Sequence, residues 1–314
     1  MKTMAADDLK TLNGEPVSTL TFGTMQFGGR ADAAESQAMY EAARAAGVTH
    51  FDTAVRYTDG KSEELTGQFI AKEREAVFLA TKVAFTGGAS RSNILSQFDE
   101  SRRQLGQDQV DLLYLHRWND NPLEETFETL ADLQSQGRIR YIGLSNAAAW
   151  QVMKAQAVAA RFGTRIDALQ PMYNLVKRQA EVEILPMAVD QSMAVFPYSP
   201  LGGGLLTGKY VNGGTGRLTE DDMYRQRYGH AWMHEAAQAF ADVAAEVGVS
   251  PATLAVAWVA GHPAAPRPIV SAKSVAQLMP SLAAGSYVMA ADLRERISAL
   301  VPTPPLATDR LEEQ

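Results

Sequence analysis

The feature that most constrains this chain is an alternation. Short apolar runs recur along it, most of them followed by a stretch whose apolar residues repeat at helical spacing. The runs are Leu20–Thr24, Val48 through Phe51 to Asp52, Ala76–Lys82 and Val110–His116. They continue with Tyr141–Asn146, Ile166–Gln170, Ala194–Tyr198 and Pro268–Ser271. They are near-continuously apolar, as strands buried on both faces of a parallel sheet are. Eight such strands alternating with helices predict an α/β chain folded as a (β/α)8 TIM barrel. The competing fold is an open doubly wound sheet. That fold wants a G-x-G-x-x-G turn after its first strand, and Gly23-Thr24-Met25-Gln26-Phe27-Gly28-Gly29 is not one.

The connections supply the punctuation. Asn13-Gly14 predicts an N-terminal β-hairpin. Ala33–Ala46 reads as a helix stopped by Gly47. Ser62 is the expected cap of a helix burying Leu65 and Phe69. Ser90 or Ser92 caps one that carries Ile94, Phe98 and Leu105 up to Gly106. Asn121-Pro122 reads as a cap followed by proline at the first helical position, with Leu123, Phe127, Leu130 and Leu133 on the buried face. Residues 200–230 read as a long irregular loop. Extra C-terminal helices follow the last strand. The 314 residues, 46% of them hydrophobic, can form one large core, so residues 1–314 are expected as a single barrel with 302–314 a loose tail.

Composition excludes several classes of function. There is no cysteine, so thiol catalysis and disulfides are out. The net charge is −7 and no basic patch stands out, which argues against nucleic acid. Met1–Asp8 has no apolar signal core and no run of about 18 apolar residues exists, so a cytoplasmic protein without a membrane span is expected. His230 and His234 are four apart but have no third ligand placed with them, so no metal site is predicted. The sequence is silent on oligomeric state.

In such a barrel the chemistry sits where the strands end. Strand two ends on Asp52, with Tyr57 five residues later. Strand three ends on Lys82 and strand four on His116. A phenol donates a proton readily once something lowers its pKa from about 10, and the Lys82 cation is placed to do so. Asp52 would hold that lysine charged. His116 would polarise a substrate oxygen, and the pair of donors suits carbonyl reduction. The hydride then has to come from a cofactor. Ser145, Asn146 and Gln170 suit a carboxamide such as nicotinamide carries, and Tyr198 can stack on its ring.

These motifs strongly resemble the aldo-keto reductase superfamily. The resemblance rests on Phe51-Asp52-Thr53-Ala54 with Tyr57, Thr81-Lys82-Val83, Asp111 to His116 and Gly143-Leu144-Ser145-Asn146. It continues through Gln170-Pro171, Tyr173-Asn174 and Pro197 to Tyr210, and covers roughly residues 16–285. It implies a catalytic tetrad of Asp52, Tyr57, Lys82 and His116, and a nicotinamide site of Ser145, Asn146, Gln170 and Tyr198. The glycine loop 201–209, with Leu201, Gly203, Gly208 and Lys209, resembles a strap over a pyrophosphate. Ser271, Lys273, Ser274 and Gln277 resemble the adenosine-phosphate motif, which implies NADPH as the preferred cofactor, with NADH possible. That loop and Arg117 look like the bacterial and potassium-channel β-subunit side of the family.

Met25, Phe27 and Trp118 follow strand ends and are the expected substrate-pocket lining. The charge mix of Arg217–Arg227 reads as a solvated loop, with closure over a ligand as the alternative. The expected activity is NADP-dependent reduction of an aldehyde or ketone. Two other functions fit parts of the pattern: a cofactor-bound sensor or partner subunit with slow turnover, and a Schiff-base lyase using Lys82.

Overall fold

A computed structural model describes residues 9–210 and 213–308. The expected N-terminal segment Met1–Asp8 and the end of the tail, residues 309–314, lie outside the described residues. In chain order the first half holds β1 (Thr21–Gly23), α1 (Ala33–Ala45), β2 (His50–Asp52), α2 (Lys61–Ile70), β3 (Phe78–Val83), α3 (Arg91–Leu105), β4 (Val110–Leu115) and α4 (Leu123–Ser135). The second half holds β5 (Ile139–Ser145), α5 (Ala149–Ala159), β6 (Ala168–Gln170), α6 (Ile184–Asp190) and β7 (Ala194–Val195). It continues with α7 (Arg217–Glu220), α8 (Asp222–Tyr228), α9 (Ala231–Glu246), α10 (Pro251–Ala260), β8 (Ile269–Val270), α11 (Val275–Leu282) and α12 (Ala291–Ser298).

All eight strands are parallel, in the order β7-β6-β5-β4-β3-β2-β1-β8. The sheet closes on itself: Arg267 N–H donates to Val195 O and Ile269 N–H to Pro197 O, each at 2.8 Å. The chain is a (β/α)8 TIM barrel. Register places Asp52 opposite Ala80, Lys82 opposite Tyr114, and Ser145 opposite Gln170. Strand ends of different sequence distance are thereby gathered at one rim.

Two apolar layers hold this together. Phe78, Leu112, Tyr114, Phe196 and Ile269 fill the barrel, and Leu9 and Val17 seal its N-terminal end. His50 belongs to that filling, edge-on to Phe78 at 4.8 Å and Phe196 at 4.5 Å. The second layer lies between sheet and helices, where Ile94, Phe98, Phe127, Leu130 and Trp258 are fully buried. Each such side chain contributes about 1.5–3 kcal/mol. Gly143 is required by the inner layer, because a Cβ there would lie 2.3 Å from the Tyr114 ring.

Local signals explain most helix ends. Asp32 caps α1 by accepting from Glu35 N–H at 2.9 Å, and Ser90 caps α3. Gly106, left-handed, ends α3. Three expectations are corrected. Ser62 lies inside α2 and bonds Thr24 rather than capping the helix, while Leu65 and Phe69 pack half-buried on the core beside the fully buried Ser62, Glu63, Thr66 and Ile70. Asn121 does not cap α4: its side chain accepts from Ala89 N–H at 2.8 Å, and Pro122 occupies the cap position itself. The loop 200–230 is not irregular throughout, since α7 and α8 lie in it and bury Leu218, Tyr224 and Tyr228. The hairpin at Asn13-Gly14 is a single antiparallel bridge, Lys10 to Pro16. Residues 302–308 carry no helix or strand. Among the described residues no single helix is long and apolar enough to cross a membrane.

Candidate active site

The C-terminal rim encloses a cavity of about 1110 Å³. Its floor is built where β2 and β3 lie side by side. Lys82 Nζ, shut off from solvent, donates to Asp52 Oδ2 at 2.5 Å, Thr53 O at 2.7 Å and Tyr57 Oη at 3.4 Å. Gln170 Nε2 donates to the other Asp52 oxygen at 2.9 Å. Each of the three ammonium protons has an acceptor.

Tyr57 stands half-buried at the edge of this cluster, facing the cavity. Its place is set by an unusual turn: Thr58, Asp59 and Gly60 follow with φ of 50°, 53° and 89°. Two non-glycine residues in the left-handed region cost about 1–3 kcal/mol each. Thr58 Oγ1 offsets part of this by donating to Phe27 O at 2.7 Å. His116 follows β4, its ring edge-on to Tyr57 with centroids 5.9 Å apart.

Electrostatics differ from the sequence expectation at one point. Burial raises the Tyr57 phenol, and the lowering by Lys82 only partly opposes it, so the phenol stays protonated through neutral pH. Burial by itself would lower the Lys82 ammonium, but Asp52 and Tyr57 raise it beyond its usual range. Burial likewise holds the Asp52 carboxyl above the ordinary range, against the pull of Lys82 and Gln170. His116 is brought down to about 3 by burial, then by Lys82, Arg56 and Arg117, and is therefore neutral at pH 7. Its Nδ1 is buried with no hydrogen-bond partner among the described residues. A proton there would be a stranded donor, which favours the tautomer with the proton on Nε2.

A second group lines the same cavity from β5 to β7. Ser145 Oγ donates to Gln170 O at 3.0 Å. Asn146, left-handed at φ 54°, donates from Nδ2 to His116 O at 2.9 Å and accepts from Tyr198 Oη at 2.8 Å. Of the remaining expected residues Met25, Leu201, Gly203 and Lys209 line the cavity, as do Ser271, Lys273 and Gln277. Ser271 Oγ is buried without a partner among the described residues. A hydroxyl left open beside Lys273, with Lys209 on the same lining, fits a phosphate-bearing group.

Four expected residues fall elsewhere. Ser274 caps α11, accepting from Gln277 N–H, and Gly208 is the left-handed end of the glycine turn 202–207. Neither lines the cavity. Phe27 is fully buried, packed on Phe22 at 5.4 Å and Phe69 at 5.8 Å, because the loop after β1 folds it inward. Trp118 turns away to a small cleft with Leu123 and Phe127, its ring 6.2 Å from Trp150. Sequence reasoning missed Arg56, Phe85 and Tyr224, which do line the cavity. It also missed the ion pair of Arg30 and Glu220, 3.2 Å, which joins the β1 and β7 loops over the rim. Adjacency was the available signal for Arg56, since it precedes Tyr57 as Arg117 follows His116.

A sequence model described as the Aldo/keto reductase family matches residues 19–301. Among curated relatives, "Uncharacterized oxidoreductase YrpG" of Bacillus subtilis (strain 168) is 32% identical over 93% of this chain and 94% of its own. "Probable voltage-gated potassium channel subunit beta" of Oryza sativa subsp. japonica is 31% identical over 95% of this chain and 97% of its own. "Aflatoxin B1 aldehyde reductase member 2" of Rattus norvegicus is 35% identical over 64% of this chain and 57% of its own.

Proposed function

This chain belongs to the aldo/keto reductase family, and on that premise we propose that it reduces an aldehyde or ketone with NADPH, taking the proton from Tyr57. When bound, the nicotinamide supplies the hydride. The protein supplies the proton and the orientation. A carbonyl oxygen set between Tyr57 Oη and His116 Nε2 receives hydrogen bonds from both, which stabilise the negative charge that develops on it. The Tyr57 proton then passes to that oxygen. Lys82 stabilises the phenolate left behind, and Asp52 and Gln170 hold Lys82 in place. Ser145, Asn146, Gln170 and Tyr198 orient the carboxamide, while Lys209, Ser271, Lys273 and Gln277 take the phosphates and adenosine.

The observation that carries this reading is the sharing of Lys82 between a carboxylate at 2.5 Å and a cavity-facing phenol at 3.4 Å. It is tested by saturating the protein with NADPH and following cofactor oxidation against a panel of small aldehydes, ketones and sugars. Saturable, carbonyl-dependent oxidation is expected. Cofactor that binds but is oxidised by no member of the panel would instead support a sensor or partner subunit, the reading that the channel-subunit relative favours.

A further inference from the structure

The charge on the cavity wall is opposite to that of the chain. The protein carries a net −7, yet seven basic side chains line the cavity against two carboxylates, Asp52 and Glu220. Both carboxylates are already paired, Asp52 with Lys82 at 2.5 Å and Glu220 with Arg30 at 3.2 Å. The lining is therefore an anion site with charge to spare, and a concave wall of one sign focuses its field on whatever enters.

Four of these basic groups stand in two separate sectors. Lys209 follows β7 and Lys273 follows β8. Arg56, Phe85 and Arg117 follow β2, β3 and β4, three neighbouring strands. In an eight-stranded ring, β3 stands opposite β7 and β4 opposite β8. The second sector therefore lies across the mouth from the first. It also lies on the side of the reacting groups, because Arg56 adjoins Tyr57 and Arg117 adjoins His116 in sequence.

The local geometry of that sector is built. The Arg56 guanidinium carbon lies 3.9 Å from the centre of the Phe85 ring, and that of Arg117 lies 4.9 Å from the same centre. The ring in turn packs edge-on against His116 at 4.9 Å. Phe85 thus gathers two cations beside the histidine. Neither arginine has a carboxylate within ion-pair distance among the described residues. Two guanidiniums held on one aromatic ring repel each other, and an anion between them converts that repulsion into two charge-assisted hydrogen-bond forks.

Building on the carbonyl-reduction reading above, we propose that Arg56 and Arg117, gathered by Phe85, bind an anionic group on the carbonyl substrate, a carboxylate or a phosphate carried on the far side of the molecule from the reacting carbonyl. The site then selects oxo-acids or phosphorylated carbonyl compounds over neutral ones. The arginines act on substrate capture, so their effect falls on KM more than on kcat.

The test is a matched set of aromatic aldehydes: 4-carboxybenzaldehyde, 4-formylphenyl phosphate and the methyl ester of the first. With NADPH saturating, wild-type kcat/KM for at least one anionic aldehyde should exceed that for the ester by tenfold or more. The one preferred identifies the anion. The preference should shrink with added salt. Arg56→Gln and Arg117→Gln should each draw the ratio towards one, mainly through KM, and Arg56→Lys should keep part of it. Binding of 4-carboxybenzoate to the protein–NADP complex gives a readout independent of turnover, and should weaken in parallel.

A wild-type ratio of one or below, with the ester reduced, overturns this inference and leaves carbonyl reduction standing. A ratio unchanged in both glutamine variants overturns it as well. Equal losses for ester and anion, accompanied by weaker NADPH binding, reassign the arginines to the cofactor. If none of the three aldehydes is reduced while another carbonyl of the wider panel is, this inference falls and carbonyl reduction stands; if no carbonyl of either set is reduced while NADPH binds, both fall.

Discussion

Two carboxylates are buried on strands of this barrel, one at each end. Asp111, at the start of β4, is closed off by the protein: Arg74 reaches it at 2.9 Å, Arg140 at 2.6 Å, and Leu79 N–H donates to it at 2.8 Å. Those arginines spend further donors on backbone, Arg140 on Lys10 O at 2.7 Å and Arg74 on Val77 O at 2.8 Å. Asp52, at the end of β2, has one cation, and that cation has two further partners, the Thr53 carbonyl and the Tyr57 phenol. A buried ion pair is thus no mark of chemistry by itself. What separates the two is the last acceptor of the cation: backbone that cannot change at one end, a hydroxyl open to a cavity at the other.

The contrast breaks most sharply at Tyr57. Tyr57→Phe keeps the ring and deletes the proton, so carbonyl reduction should fall by about two to four powers of ten. The thermal midpoint should hardly move. A variant that reduces carbonyls at the wild-type rate, with chemistry rate-limiting, would end the distinction between the two clusters. Asp111→Ala should do the reverse. Removing one partner of a buried pair costs about 3–5 kcal/mol, and the low end applies because Arg74 and Arg140 both reach solvent. Urea titration should show that loss, while kcat per folded molecule holds. A collapse of kcat with stability intact would place Asp111 in the reaction instead.

A third buried carboxylate sharpens the comparison because it has no ion-pair partner among the described residues. Glu63 on α2 accepts from Thr81, and burial raises it to about 7. Its folded pKa lies above the unfolded value of 4.5, so the folded state binds the extra proton between the two. The stability this group allows is complete below about pH 4.5 and is lost as the pH rises through about 7. Glu63→Gln removes the titration, so above pH 7 the variant should be more stable than wild type by about 1–3 kcal/mol. Denaturation midpoints at pH 4 and pH 8 decide it: a difference that does not grow with pH would mean Glu63 is ionised in the folded protein.

The barrel was legible because its signal is periodic and local. Runs such as Val110–Leu115, and caps such as Ser90, announce themselves through neighbouring residues alone. The convergence of Asp52, Tyr57, Lys82 and His116 was legible for a related reason, since strand ends in a closed parallel barrel share one rim. What failed depended on contacts distant in sequence. Asn121 gives its oxygen to Ala89 rather than to its own helix, and Phe27 folds inward onto Phe22 and Phe69. The direction of the Tyr57 shift failed too, because the lysine is visible in sequence while the depth of burial that outweighs it is not. Arg56 and Phe85 needed the sheet order to be seen as neighbours.

The bridge across the rim bears on timing. Arg30 and Glu220 are 42% and 47% exposed, so their contact at 3.2 Å is of the kind worth about 0–1 kcal/mol. At the upper figure the joined form outnumbers the parted one by only about fivefold, which RT of about 0.59 kcal/mol fixes. A contact so lightly held adds almost nothing to keeping the two loops together, which leaves the residence of any guest to be decided by the cavity beneath.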